Sequence, residues 1–170
     1  MILLSLDPGI LATGWAVLED GALRDWGELR PDDAKASVPA RISSLCLELE
    51  ARLGEFKPDM ILLEWNSGKV NVNRHKGGGA GLAVHGEVTG SLWREAVHWA
   101  RRRADAKVVP IDENAWTRGV SKDARALAVK GLYPQLPNPE SDTGLHVHDA
   151  VGLAVWYLRE RAVRSHDLEG

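Results

Sequence analysis

Four residues are placed to do chemistry: Asp7, Glu64, His146 and Asp149. Asp7 is the only charge in the apolar run MILLSLD, and Pro8, Gly9, Thr13 and Gly14 follow it closely. A carboxylate in such a run is costly to bury unless it is paired, protonated or bound to a cation. Glu64 stands likewise near the end of the apolar run MILLEW, residues 60–65. His146 and Asp149 lie three apart, so on a helix they share one face, and Asp149 leads into the apolar AVGLAVWYL. Three carboxylates and one imidazole form an oxygen-rich set that suits Mg²⁺ or Mn²⁺ better than zinc, the imidazole tilting the choice toward Mn²⁺. Taken singly, each has a local explanation: a turn before proline, a charge at a strand end, a carboxylate at a helix N-terminus.

The elements that would carry these residues can be read from periodicity. Residues 2–7, 14–19 and 22–29 read as three strands, the last two joined by the two-residue turn Asp20-Gly21. Val38, Ile42, Leu45, Leu49 and Leu53 recur at helical spacing and predict an amphipathic helix over residues 38–55, ended by Lys57-Pro58-Asp59. MILLEW has the continuous apolar character of a strand buried on both faces. The polar, glycine-rich NSGKVNVNRHKGGGAG then predicts a loop, followed by a helix over residues 81–103. On that helix Ala83, Gly86 and Gly90 make a stripe of small residues, fitted either to a close neighbour in the same chain or to a second subunit. AKVVPI predicts a strand, Ser121 the N-cap of a helix over residues 121–132, and LPNPESDTG a break before a last helix over residues 145–163. A meander followed by alternating strands and helices indicates a mixed α/β layer fold.

At 170 residues with 44% apolar composition, the chain is expected to form one globular domain spanning residues 1–170. The single Cys46 rules out an intrachain disulfide framework and fits a reducing, cytoplasmic setting. No apolar run approaches the roughly 20 residues that span a bilayer, so no membrane association is expected. The net charge of -3 conceals a division: residues 61–130 carry 12 Lys and Arg against 7 Asp and Glu, whereas residues 1–60 carry 6 against 11. That asymmetry predicts a basic face. Arg101 to Arg103 form the cluster most readily assigned to ordinary helix surface.

The order LSLDPGILATGWAV, KPDMILLEW, HVHDAVGLAVWYL resembles the RuvC-type Holliday junction resolvases, crossover junction endodeoxyribonucleases of the RNase H-like superfamily. The resemblance spans nearly the whole chain, and ENAWTRGVSKDARALAVKGLYP is similar to the family's basic segment. It implies a mixed five-stranded sheet, antiparallel meander plus parallel strands, flanked by helices. It also implies that Asp7, Glu64, His146 and Asp149 form the metal-binding catalytic tetrad. The third position is often Asp in the family and His in some members, which leaves His148 as a rival to His146. Two Mg²⁺ ions per site, replaceable by Mn²⁺, would hydrolyse DNA phosphodiesters, with Asp7 bridging them.

On this reading the basic middle of the chain meets branched DNA. Lys69, Arg74, His75 and Lys76 follow Glu64, and Arg118, Lys122 and Arg125 lie before and on the next helix, positions suited to phosphate contacts. Trp65 and Trp116 are candidates for stacking on unpaired bases. The resemblance implies a homodimer, since two symmetric cuts need two sites, with the Ala83, Gly86 and Gly90 face toward the partner. No nucleotide cofactor is expected: an actin-like ATPase would need a second phosphate loop and domain, and KGGGAG lacks the Lys-Ser/Thr ending of a P-loop. Two alternatives remain open, a related nuclease of forks, flaps or RNA-containing substrates, and a catalytically silent binder of branched DNA.

Overall fold

A computed structural model describes residues 1–65, 78–141 and 145–166. Lys69, Arg74, His75 and Lys76 lie outside the described residues. The chain begins with β1 (Ile2–Asp7), β2 (Thr13–Glu19) and β3 (Ala22–Leu29), followed by α1 (Val38–Phe56) and β4 (Met60–Trp65). Then come α2 (Gly78–Arg101), β5 (Lys107–Asp112), the short α3 (Glu113–Thr117), α4 (Lys122–Leu132) and α5 (His146–His166). The five strands form one sheet in the order β3-β2-β1-β4-β5. β1, β2 and β3 pair antiparallel, whereas β1 with β4 and β4 with β5 pair parallel. This is the mixed five-stranded sheet expected from the sequence, with its helices on both faces.

Local chemistry explains the turns. Asp20 and Gly21 both take positive φ, 49° and 84°, which matches the twist of the β2–β3 hairpin. Ser121 caps α4, its hydroxyl accepting from the Ala124 backbone N–H at 3.3 Å. Lys57 adopts the left-handed conformation at the end of α1, and its N–H closes on the Leu53 carbonyl. α2 begins earlier than expected, running back through Gly78 into the glycine-rich segment, and ends two residues sooner.

Because strand side chains alternate, each strand serves two cores. Leu4, Leu6, Trp15, Val17, Ile61 and Leu63 meet the apolar stripes of α1 and α2. Leu3, Ala16, Leu18, Met60 and Leu62 meet α5, α4 and Trp116 on the opposite face. Asp7 and Glu64 keep the parity of this second set, so both belong to the α5 face. The small-residue stripe on α2 is turned away from the sheet: Ala83 and Gly86 are exposed, and a Cβ added at Gly86 or Gly90 would meet nothing within 4 Å. No close neighbour among the described residues explains it.

Candidate active site

β1 and β4 run parallel with Leu6 beside Leu63, so Asp7 and Glu64 leave the sheet side by side at the same edge. α5 is drawn onto that edge by two features of the sequence. Ser5, two residues before Asp7 on the same face, donates its hydroxyl to the Ala150 carbonyl of α5 at 2.7 Å. Gly14, paired with Asp7 across β1 and β2, leaves room for the helix: a Cβ there would lie 2.0 Å from the His146 carbonyl oxygen. Thr13 fixes the intervening turn, accepting from the Gly9 N–H at 3.2 Å and donating to the Gly9 carbonyl at 3.0 Å.

This docking brings His146 Nδ1 to 2.7 Å from an Asp7 oxygen. His148 is buried elsewhere on α5, and the imidazole in contact with Asp7 is that of His146. Asp149, on the first turn of α5, is 3% exposed at its side chain and receives two cationic groups from α4. Lys122 Nζ lies 2.8 Å from one of its oxygens and 3.8 Å from Asp7. Arg125 donates to the other oxygen through Nε at 3.2 Å and Nη2 at 3.0 Å. Glu64 accepts from the indole N–H of Trp116 at 2.7 Å.

The electrostatics record a surplus of negative charge. Burial, reinforced by the charges of Asp7, Glu113 and Asp149, pushes Glu64 well above the ordinary carboxylate range despite the Trp116 hydrogen bond. Burial and the Asp7 charge raise Asp149 too, against the pull of Lys122 and Arg125. Burial opposes protonation of His146 and Lys122, yet both are shifted upward. The hydrogen bond and charge of Asp7 prevail for His146, and the charges of Asp7 and Asp149 for Lys122. Glu28 on β3 adds a smaller upward pull on His146.

Among the described residues, no three His, Cys, Asp or Glu groups form a finished cage for an ion. The donor chemistry nonetheless fits a hard divalent cation, being carboxylate oxygens and one imidazole with more negative charge than their neighbours neutralise. Lys122 is the cation those carboxylates hold, its ammonium between Asp7 and Asp149.

The structure thus brings together Asp7, Glu64, His146, Asp149, Lys122, Arg125 and Trp116, and separates Arg118 and Trp65 from them. Arg118 is exposed and paired with Glu160 at 2.6 Å. Trp65 packs edge-on against Trp93, ring centroids 5.9 Å apart, beside the α1–α2 core. Trp116 is only 6% exposed, with the Arg125 guanidinium 4.7 Å from its ring centroid, so its ring is engaged inside the protein. Arg125 likewise turns inward to Asp149 and to the Val120 carbonyl at 2.7 Å. Glu28 and Glu113 were not singled out from sequence. The only local signal for Glu113 is its place directly after β5, the strand beside β4.

No family model matches the sequence, and no curated protein does. Solved structures do match. T. thermophilus RuvC in complex with Holliday junction substrate is 17% identical, with a TM-score of 0.70 over 94% of this chain and 96% of that one. A second structure of Thermus thermophilus RuvC is 18% identical, with a TM-score of 0.66 over the same shares, 94% and 96%. The yeast mitochondrial Holliday junction resolvase Ydc2 is 16% identical, with a TM-score of 0.63 over 96% of this chain and 82% of that one. At such identities the likeness establishes the fold: the chain has the RNase H-like fold of the RuvC structures. No described helix is long and apolar enough to cross a membrane.

Proposed function

We propose that this chain is a metal-dependent endonuclease that resolves Holliday junctions by paired, symmetric hydrolysis of phosphodiester bonds. The observation that carries this reading is the convergence of Asp7, Glu64 and Asp149 from β1, β4 and α5. They lie close enough that the charges of Asp7 and Asp149 raise Glu64, with His146 bonded to Asp7. The fold shared with two RuvC structures and Ydc2 supports DNA junctions as the substrate.

Asp7, Glu64, His146 and Asp149 would hold Mg²⁺ or Mn²⁺, two ions per site. Divalent ions at such a site supply a deprotonated water as nucleophile and stabilise the leaving 3′-oxygen. Asp7, bonded to Nδ1, fixes the ring orientation of His146. Lys122 is 40% exposed at its side chain and can reach an entering phosphate from its place against Asp7 and Asp149. The outward stripe of Ala83, Gly86 and Gly90 supports α2 as the contact with a second subunit, giving two sites for two cuts.

The test is cleavage of a labelled immobile four-way junction with Mg²⁺ or Mn²⁺, beside duplex, flap and RNA/DNA hybrid controls. Paired nicks near the branch are expected from the wild type. Asp7→Asn is expected to lose at least about a thousandfold in kcat, the scale of losing a group that acts in the transition state. Preferential cutting of flaps or hybrids would place the chain among other nucleases, and binding without cutting would make it a silent binder of branched DNA.

A further inference from the structure

Glu64 and Asp149 are joined behind the site by a second pair of residues that both come from the segment between β5 and α5. Trp116, on α3, donates its indole N–H to Glu64 at 2.7 Å. The Arg125 guanidinium, from α4, lies 4.7 Å from the Trp116 ring centroid and donates twice to a single oxygen of Asp149, at 3.2 and 3.0 Å. Its remaining nitrogen is tied to the Val120 carbonyl at 2.7 Å. All three nitrogens of the guanidinium are therefore committed, and the group cannot rotate without breaking several bonds at once.

The chain is folded to make this arrangement. Arg118 and Gly119 both take positive φ, 46° and 76°, which reverses the backbone between α3 and α4 and returns Arg125 over Trp116. Gly152 on α5 makes room for the indole, since a Cβ there would meet the ring at 3.2 Å. The ring is thus seated between α5 and the guanidinium, and its one polar atom points at Glu64.

We infer that Trp116 is a positioning residue: it holds one oxygen of Glu64 and, through the stacked Arg125, sets the spacing between Glu64 and Asp149. The inference rests on the metal-site reading above. Groups that orient metal-ligating carboxylates typically alter metal affinity or activity by 10- to 100-fold when removed. Trp116→Phe removes the N–H donor while keeping an aromatic surface under Arg125. Its expected signature is about tenfold weaker Mn²⁺ binding by calorimetry on the full chain. Junction cleavage should fall at low Mn²⁺ and recover toward the wild-type kcat at high Mn²⁺, with KM for the junction unchanged. A merely structural role would lower the melting temperature and would not be rescued by metal.

Arg125→Met serves as the second variant, because it keeps the stem over the ring and cuts the tie to Asp149. It should also weaken Mn²⁺ binding in a chain that remains folded by circular dichroism. Wild-type Mn²⁺ affinity in both variants overturns the inference while leaving the metal site standing. A loss confined to junction affinity overturns it in favour of base stacking by Trp116. If the wild type itself takes up no Mn²⁺, the metal-site reading falls first and takes the inference with it.

Discussion

The two faces of the sheet are built from the same strands and behave oppositely. On the α1–α2 face, β1 and β4 contribute Leu4, Leu6, Ile61 and Leu63, all fully buried among apolar neighbours. On the α5 face the same strands contribute Leu3, Ser5 and Asp7, and Met60, Leu62 and Glu64, so polarity increases toward one end. The first face stabilises by removing apolar surface from water. The second holds three carboxylates, and burial together with the charge of Asp7 opposes the ionisation of Glu64 and Asp149. One face gives the platform its rigidity, and the other uses that rigidity to keep like charges together.

Substitutions should separate the two faces. Leu63→Ala, on the apolar face, is expected to cost about 2–5 kcal/mol in chemical denaturation. The fraction that remains folded should keep the wild-type kcat. Gly14→Ala, on the polar face, should cost about 1–3 kcal/mol as the added methyl presses on the His146 carbonyl. Unlike the leucine variant it should also lower kcat per folded molecule, because it moves His146 away from Asp7. Equal kcat losses in the two variants would break the division between faces.

A pH titration sharpens it further. Glu64 and Asp149 have folded pKa values raised above their ordinary values of 4.5 and 3.8. Such carboxyls bind more protons in the native chain than in the unfolded one, so stability declines as pH rises from the unfolded values through the raised ones. His146, raised from 6.5, acts in the same direction: its contribution is present below the unfolded value and is lost as pH passes the folded one. Metal-free protein should therefore melt at lower temperature as pH rises from about 4 toward neutrality. Glu64→Gln should flatten that decline and raise the neutral-pH melting temperature of the metal-free chain. Mn²⁺ should raise the melting temperature of the wild type more than that of the variant.

The smallest effect belongs to a position outside both faces. Gly86→Ala meets no atom of the described residues within 4 Å and should stabilise the monomer by up to about 1 kcal/mol through helix propensity. If α2 packs closely on a second subunit, the same methyl should weaken the dimer in analytical ultracentrifugation; an unchanged association constant would remove α2 from the interface.

Much of this was legible in the sequence where a residue's partner lies nearby in the chain or follows from a period. The apolar runs MILLSLD and MILLEW assigned Asp7 and Glu64 to strand ends, and Asp20-Gly21 announced its hairpin. Trp116 stands in the basic segment and so offers a base-stacking ring, whereas its hydrogen bond to Glu64 has no local signal because that partner lies 52 residues away. Lys122 and Arg125 are legible in the sequence only as cations suited to phosphate; their pairing with carboxylates from β1 and α5 exists only after the sheet has formed.

The contact between Asp7 and His146 joins residues 139 apart in the chain, and that between Ser5 and Ala150 joins residues 145 apart. During synthesis, β1 and its carboxylate leave the ribosome early, but the helix that completes the constellation follows only after every intervening element. A nascent chain halted before His146 has the sheet edge without half of its four site residues. The growing polypeptide therefore gathers Asp7, Glu64, His146 and Asp149 into one constellation only when the scaffold that restrains them is whole.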